Sequence, residues 1–545
     1  MNIKLNNEIL EVEENKSIIE LFNKEIGENK KIIACDINNE IKSLNYILKE
    51  NDNVNFVDVT SRDGRRAYIR GLLFVMSMAF NKCYPEVFLS VNYQLTNAMY
   101  CEVENLDVTK EMIENVNNQM KKLVAESLPI KKIEMTKEEA IKFYEKENSL
   151  RGILQLDNEQ KKGVSLYFCE DYYNYFYGVM PIDTSYINVF DIIPYNDGFL
   201  LRYPDKKNPE MLEPGIASKK MISILNEYKD IHKVLDINTI YKLNKQIREG
   251  KSAELVMLAE ALHEKKISDI ADNVVKRKNV KVILIAGPSS SGKTTFAKRL
   301  GIHLRLNGLK PVTISVDDYF VERAQTPLDE NGKYNFECIE AIDLKLFNEH
   351  LITLLNGGEI LCPTFDFKEG SKKYTGKKMS LAEDEILVIE GIHCLNDRLT
   401  KSIPKELKYK IYISALTVLN VDYYNRISTT DSRLIRRMVR DHNFRGYTAI
   451  HTLQMWNSVN KGENQYIFPF QDEADSMFNT SLIYELCVLK KYALSMLQEI
   501  DNSYVEYAEA KRLCEFLKYF EDIEDKYVPQ NSLLREFIGG SIFEY

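Results

Sequence analysis

Eight residues, Gly287 to Thr294, match the spacing G-x-x-x-x-G-K-[ST] at every fixed position. Their types suit an anion. Gly287 and Gly292 permit backbone angles that a Cβ blocks, so successive N–H groups can turn inward. Ser289, Ser290 and Ser291 add hydroxyls to the same loop. The segment that follows starts with free N–H groups and a positive dipole end, with Thr295 in its first turn. In this pattern Lys293 reaches the β- and γ-phosphates and the Thr294 hydroxyl ligates Mg²⁺. The cofactor set expected is ATP or GTP with Mg²⁺.

Two further groups carry chemistry. Asp317 and Asp318 close the run PVTISVDDYF (311–320), and Glu390 closes EILVIEGIH (385–393). Carboxylates at strand ends, after a phosphate loop, are placed for Mg²⁺ and a substrate hydroxyl. Arg433, Arg436, Arg437 and Arg440 fall at i, i+3, i+4 and i+7, one helical face, with Arg445 beyond. Such a stripe is a solvated face, an RNA-binding face or a lid that neutralises transferring charge. Beside a triphosphate site the lid is preferred.

The elements that must hold these groups are legible. Val282 to Ile285 is a continuous apolar run, as in a strand buried on both faces of a parallel sheet. A helix over 295–306 follows, with Asn307 and Gly308 as its stop. The runs at 311–320 and 385–393 give second and third buried strands, and KIYISA (410–415) a fourth. The pattern predicts a parallel sheet flanked by helices around a phosphate loop, and a resemblance to P-loop kinases in these same residues implies an α/β P-loop kinase domain over 281–490. Leu255, Leu258, Ala259 and Leu262 mark a helical connector at 226–280, and His263 beside them reads as a surface or packing residue.

GPSSSGKTT, SVDDYF, NFECIEAIDL, CPTFDF, VIEGIH and RLIRRMVRD, in this order, resemble the uridine kinase and phosphoribulokinase group of P-loop kinases. The resemblance implies transfer of a phosphoryl group from ATP to the 5′-hydroxyl of a uridine- or cytidine-like nucleoside. It makes Asp317 the general base and Thr294, Glu390 and Asp317 the Mg²⁺ ligands. Lys293, Arg436 and Arg440 face the transferring group, and Arg437 joins the loop residues on the nucleotide. Glu337 stands where the group has an Asp for the ribose hydroxyls. Asp318, Asp366, Lys372 and Arg433 are further substrate-side candidates. Two positions depart from the pattern: Phe365 replaces a Tyr, and Gly370 stands near a His found in uridine-specific members. The expected contacts to a pyrimidine are therefore not secured, and another small-molecule alcohol stays open as acceptor.

The N-terminal half is of a different kind. Residues 1–60 read as a hairpin with an Asn6-Asn7 turn, a helix opened by Ser17 and two more strands, a β-grasp unit. Residues 61–225 read as an α+β domain. Thr109 is the N-cap of its second helix, and Thr136 and Glu139 form a capping box on its third. Its Tyr-rich run, 164–181, reads as a packed sheet face. In order and pattern the two units resemble the TGS domain and second domain of threonyl-tRNA synthetases. That family carries His-x-x-x-His on the opening helix, where Ala67 and Gly71 stand here, so editing chemistry is not expected. A helical extension, 491–545, ends the chain.

The 545 residues carry 72 basic and 81 acidic side chains, a net charge of −9. That balance speaks against a bulk nucleic-acid or anionic-membrane binder. Nine scattered Cys form no C-x-x-C pair, which suits reduced thiols and a cytoplasmic location. No membrane span is expected. The partners expected are a small nucleoside and, at the N-terminal domains, an RNA, a regulatory ligand or a second copy in a homo-oligomer. An RNA-associated regulatory ATPase is the rival from another functional class.

Overall fold

A computed structural model describes residues 1–545 except 7, 29–30, 148, 157–162, 214–217, 331, 367–368 and 545. Asn7 of the expected hairpin turn, and Phe367 and Lys368 beside Gly370, lie outside the described residues. The chain forms two compact units. The first comprises residues 1–249, 417–427 and 494–521; the second comprises 250–416, 428–493 and 522–545. The C-terminal extension is thus divided between them rather than standing alone.

In the first unit, residues up to 58 form a five-stranded sheet. Its order is Glu8–Glu11, Asn2–Leu5, Asn53–Asp58, Ile32–Ile37, Glu40–Lys42. Its helix Ile18–Leu21 is opened by Ser17, whose hydroxyl and amide both bind Glu20. Next comes the helix Arg62–Cys83, capped by Ser61 and buried from Gly71 through Phe80. So continuous a burial explains its apolar composition on every face. It packs on the helix Lys110–Ala125 and shares a core with a four-stranded antiparallel sheet. A Cβ on Gly71 would stand 2.8 Å from Pro181 Cγ, so this helix face has no room for an imidazole.

The Tyr-rich run makes the strands Gly163–Cys169 and Tyr172–Tyr175 of a separate three-stranded sheet. Tyr173 packs its ring against Phe143, Tyr144 and Phe168. The helix Tyr507–Leu517 is tied to this unit by Glu509, which is buried against Arg66, Arg62 and Arg512. Burial pushes the Glu509 carboxyl up, but the three guanidiniums outweigh it and hold it well below the usual range.

The second unit begins with α1 (Ser252–Lys276), then β1 (Val282–Ala286), α2 (Lys293–Leu306) and β2 (Lys310–Ser315). After α3 (Leu344–Leu355), β3 (Glu359–Asp366) and β4 (Ser371–Ser380) form an antiparallel hairpin. Then come β5 (Glu385–Glu390), β6 (Lys408–Ser414), α4 (Thr429–Arg445), α5 (Ala449–Tyr466) and β7 (Ser476–Asn479). The main sheet is parallel throughout, in the order β2-β5-β1-β6-β7.

β1 is the central strand and is buried at all five positions. β2 departs from expectation. It lies at the sheet edge, and among its six residues only Ile314 is buried. An edge strand lacks a neighbour on one side, so its apolar content overstated its burial. α1 covers α2 through a buried Arg299, which pairs with Glu260 at 3.2 Å and Glu264 at 2.9 Å. His263 is a packing residue: its ring meets Phe478 and its Nε2 lies 3.2 Å from the Ser481 carbonyl.

Candidate active site

The phosphate loop joins β1 to α2 in the second unit. Gly287 is required by close approach, since a Cβ there would lie 2.2 Å from the Ile413 carbonyl of β6. Gly292 has φ +83°, the left-handed region in which a Cβ is strained. The Ser290 and Ser291 hydroxyls are buried and have no hydrogen-bond partner among the described residues. Lys293 Nζ folds back onto the loop, donating to the Gly287 carbonyl at 3.1 Å. Buried hydroxyls and a lysine folded onto its own loop are the features of a cradle built for an anion.

The sheet register sets the carboxylates beside it. Glu390 of β5 is level with Ile285 of β1 and with Ser315 of β2. Ser315 Oγ donates to Glu390 at 3.2 Å and accepts from the Asp317 amide at 3.3 Å. Asp317 sits in the turn Val316–Tyr319 after β2, where it is open to solvent and within electrostatic reach of Lys293. Desolvation raises its carboxyl, opposed by Lys293, Arg445 and Arg440. Glu390 is pushed up to about 7, first by burial and then by Asp317, against Lys293. Two acids raised chiefly by desolvation, Glu390 also by the charge of Asp317, with a hydroxyl at Thr294, fit a divalent cation that also takes phosphate oxygens. Mg²⁺ is commonly held by one or two carboxylates and its substrate. Among the described residues no cluster of three or more His, Cys, Asp or Glu forms a metal cage.

Further acids near the loop come from separate elements. Glu337 packs against Gly462 of α5 and is pushed up to about 7 by burial, then by Glu463. Glu463 is 1% exposed. Its Oε1 accepts from the Ser289 amide at 2.8 Å and from Arg433, and its Oε2 has no partner among the described residues. Sequence reasoning missed Glu463. It belongs to no motif, and only its place on the helix after the arginine stripe pointed to it.

Asp318, Asp366 and Lys372 are engaged elsewhere. Asp318 Oδ1 accepts from the Phe365 amide at 3.4 Å, holding β3 to the turn. Asp366 accepts from the Glu369 amide and pairs with Lys373 at 2.8 Å within the hairpin. Lys372 pairs with Asp343, the N-cap of α3. Gly370 has φ +73°, and a Cβ there would lie 2.5 Å from Arg323 Nε, so the guanidinium fills the space a side chain would need.

The arginine stripe of α4 is not one surface, which corrects the expectation of a uniform lid. Arg433 and Arg436 are buried. Arg433 pairs with Glu463 and lies over Trp456; Arg436 Nε donates to Glu485 at 3.2 Å, and Nη2 donates to the Thr480 carbonyl at 2.7 Å. Both also reach the loop backbone, at the Ser289 and Ser290 carbonyls. Arg437 and Arg440 are partly exposed. Arg437 donates to Ser289 Oγ at 2.8 Å, and both pair with the buried Asp441. The first pair is buried behind the loop; the second acts on the acids, Arg437 on Glu337 and Arg440 on Asp317.

The profile described as the Phosphoribulokinase / Uridine kinase family matches residues 282–482. A uridine kinase of Halalkalibacterium halodurans is 30% identical over 195 residues, 36% of this chain and 83% of the relative. A uridine kinase of Clostridium perfringens is 31% identical over 192 residues, 35% of this chain and 83% of the relative.

Proposed function

The chain belongs, through residues 282–482, to the phosphoribulokinase and uridine kinase family, and on that premise we propose that it phosphorylates a nucleoside at its 5′-hydroxyl with ATP. The observation that carries this reading is the meeting of Lys293, Asp317 and Glu390 at the carboxyl ends of β1, β2 and β5. A phosphate cradle and a candidate base stand together there. Asp317 accepts the proton of the acceptor hydroxyl as that oxygen attacks. Lys293 and the partly exposed Arg437 and Arg440 stabilise charge on the transferring group. Arg433 and Arg436 position the loop rather than touch the phosphates. Thr294, Glu390 and Asp317 would hold Mg²⁺, which when bound would neutralise phosphate charge. Glu337 takes the ribose hydroxyls.

A different small alcohol is a second reading. It is favoured by Gly370, where no side chain is available to read a pyrimidine, and by the extra acid Glu463 beside Glu337. Residues 1–60 and 61–225 are read as a TGS-like unit and a synthetase-like α+β domain that take an RNA or a regulatory ligand. A panel of nucleosides and sugar alcohols, with ATP and GTP as donors and ADP or GDP release as readout, tests the choice. Turnover of uridine or cytidine supports the proposal. Turnover of a non-nucleoside alcohol alone selects the second reading. Tight, salt-sensitive tRNA binding with no kinase activity favours a regulatory ATPase.

A further inference from the structure

The family match ends at residue 482, yet residues 522–545 belong to the same compact unit as the phosphate loop. Their contact with that loop is specific. Thr295 is the third residue of α2, in the first turn whose amides point toward acceptors beyond the helix, and Phe296 N bonds the Gly292 carbonyl one residue on. Such an amide at the end of a phosphate loop serves the nucleotide's α- and β-phosphates. Here it donates to Glu536 Oε2 at 3.2 Å, and the Thr295 hydroxyl donates to the same oxygen at 2.6 Å. Thr295 is fully buried, whereas Lys293 and Thr294 stay reachable.

The segment is anchored on both sides of Glu536. Ser532 Oγ donates to Glu260 of α1 at 2.5 Å, and Leu533 lies against Gly292, where a Cβ would meet its Cδ2 at 2.6 Å. Beyond Glu536, Asn443 of α4 donates to the Phe537 carbonyl at 3.1 Å, and Arg436 lies over the Phe537 ring. A carboxylate from the chain's own end therefore takes the donors that an incoming phosphate needs. Two anions do not share one pair of donors at hydrogen-bond distance.

We infer that residues 529–542 form an autoinhibitory strap, with Glu536 seated in the nucleotide's anion site on Thr295, so that ATP must displace it to bind fully. This rests on the nucleotide-binding reading above and adds its regulation. Displacement taxes affinity: the apparent Kd rises by the reciprocal of the fraction of molecules with the strap undocked. A strap docked in about nine molecules of ten weakens ATP about tenfold.

The test uses the full chain and Mg²⁺-ATP. Glu536→Gln keeps the side chain's volume and one acceptor oxygen but removes its charge; Glu536→Ala removes the group. Titration calorimetry on both is expected to show ATP binding about tenfold tighter than wild type. Hydrogen exchange across 529–542 in wild type is expected to lose protection when ATP saturates, and to keep it in Lys293→Ala, which does not bind the nucleotide. Unchanged or weaker ATP binding in Glu536→Gln, with unchanged protection of 529–542 in wild type, overturns the strap. Failure of the wild-type chain to bind ATP at all overturns the nucleotide reading instead, so the two failures are distinct.

Discussion

Two parts of the candidate site are made of opposite materials. The phosphate loop offers N–H groups, hydroxyls and Lys293, all within ten residues of chain and fixed by the turn from β1 into α2. The proposed acceptor side offers Asp317, Glu337 and Glu463, drawn from the turn after β2, a loop and α5. A donor-rich cradle accepts a triphosphate whatever its base, because phosphates are common to all of them. A set of carboxylates from separate elements discriminates, since each element can shift without disturbing the sheet. The difference teaches that nucleotide binding and acceptor choice are separable here, and substitutions on the two sides should part them.

The largest effect is expected from Asp317→Asn. Removing the base should lower kcat by about 10²–10⁴-fold while ATP affinity stays within about threefold. Lys293→Ala should do the reverse, abolishing most ATP binding. Isothermal titration beside steady-state kinetics reads both. If Asp317→Asn weakens ATP as much as Lys293→Ala, the two regions are one and the comparison breaks.

The next effect sharpens the split within α4. Arg436→Ala leaves Glu485 buried and uncompensated, and such a loss costs about 3–5 kcal/mol. Arg440→Ala removes a partly exposed member of the Asp441 cluster and should cost about 1 kcal/mol or less. Urea unfolding followed by fluorescence checks this directly, because the single Trp, Trp456, is buried in α5 of the same unit. Equal losses would mean that the buried pair and the partly exposed pair are not distinct. The same variants separate function: Arg440→Ala should lower kcat with little change in stability.

Why one region was legible in sequence and the other was not follows from their construction. The loop is local, and its glycines answer constraints visible in order: a close β6 carbonyl at Gly287 and a left-handed φ at Gly292. Glu390 was legible because a parallel strand's end is a fixed place. The arginine period marked a helix but could not say that Glu463 and Glu485 bury its first half. Nor could it show that Asp366 and Lys372 are engaged in the hairpin and at the α3 cap. Partners that sit on other elements leave no periodic spacing to read. Glu536 on Thr295, 241 residues away, is the extreme case.

The smallest effect comes from pH. Glu390 and Glu337 are both pushed up to about 7, chiefly by burial. A carboxyl raised in the folded state contributes stability that is full below its unfolded value, near 4.3, and is lost as pH rises through 7. The fold should therefore weaken between pH 4.5 and 7, by at most about 3 kcal/mol per group. Turnover moves the other way, because Asp317 must be ionised to accept a proton. The two regions then differ in their response to Mg²⁺. The cation opposes desolvation at Glu390, a proposed ligand, and should pull its titration down, while Glu337 on the acceptor side keeps its raised value. Glu337→Gln should flatten the stability slope over this interval and leave the rise in kcat in place. Urea unfolding at stepped pH, with and without Mg²⁺, measures this. A slope in Glu337→Gln that still matches wild type would show that the acceptor side carries no raised carboxyl of its own.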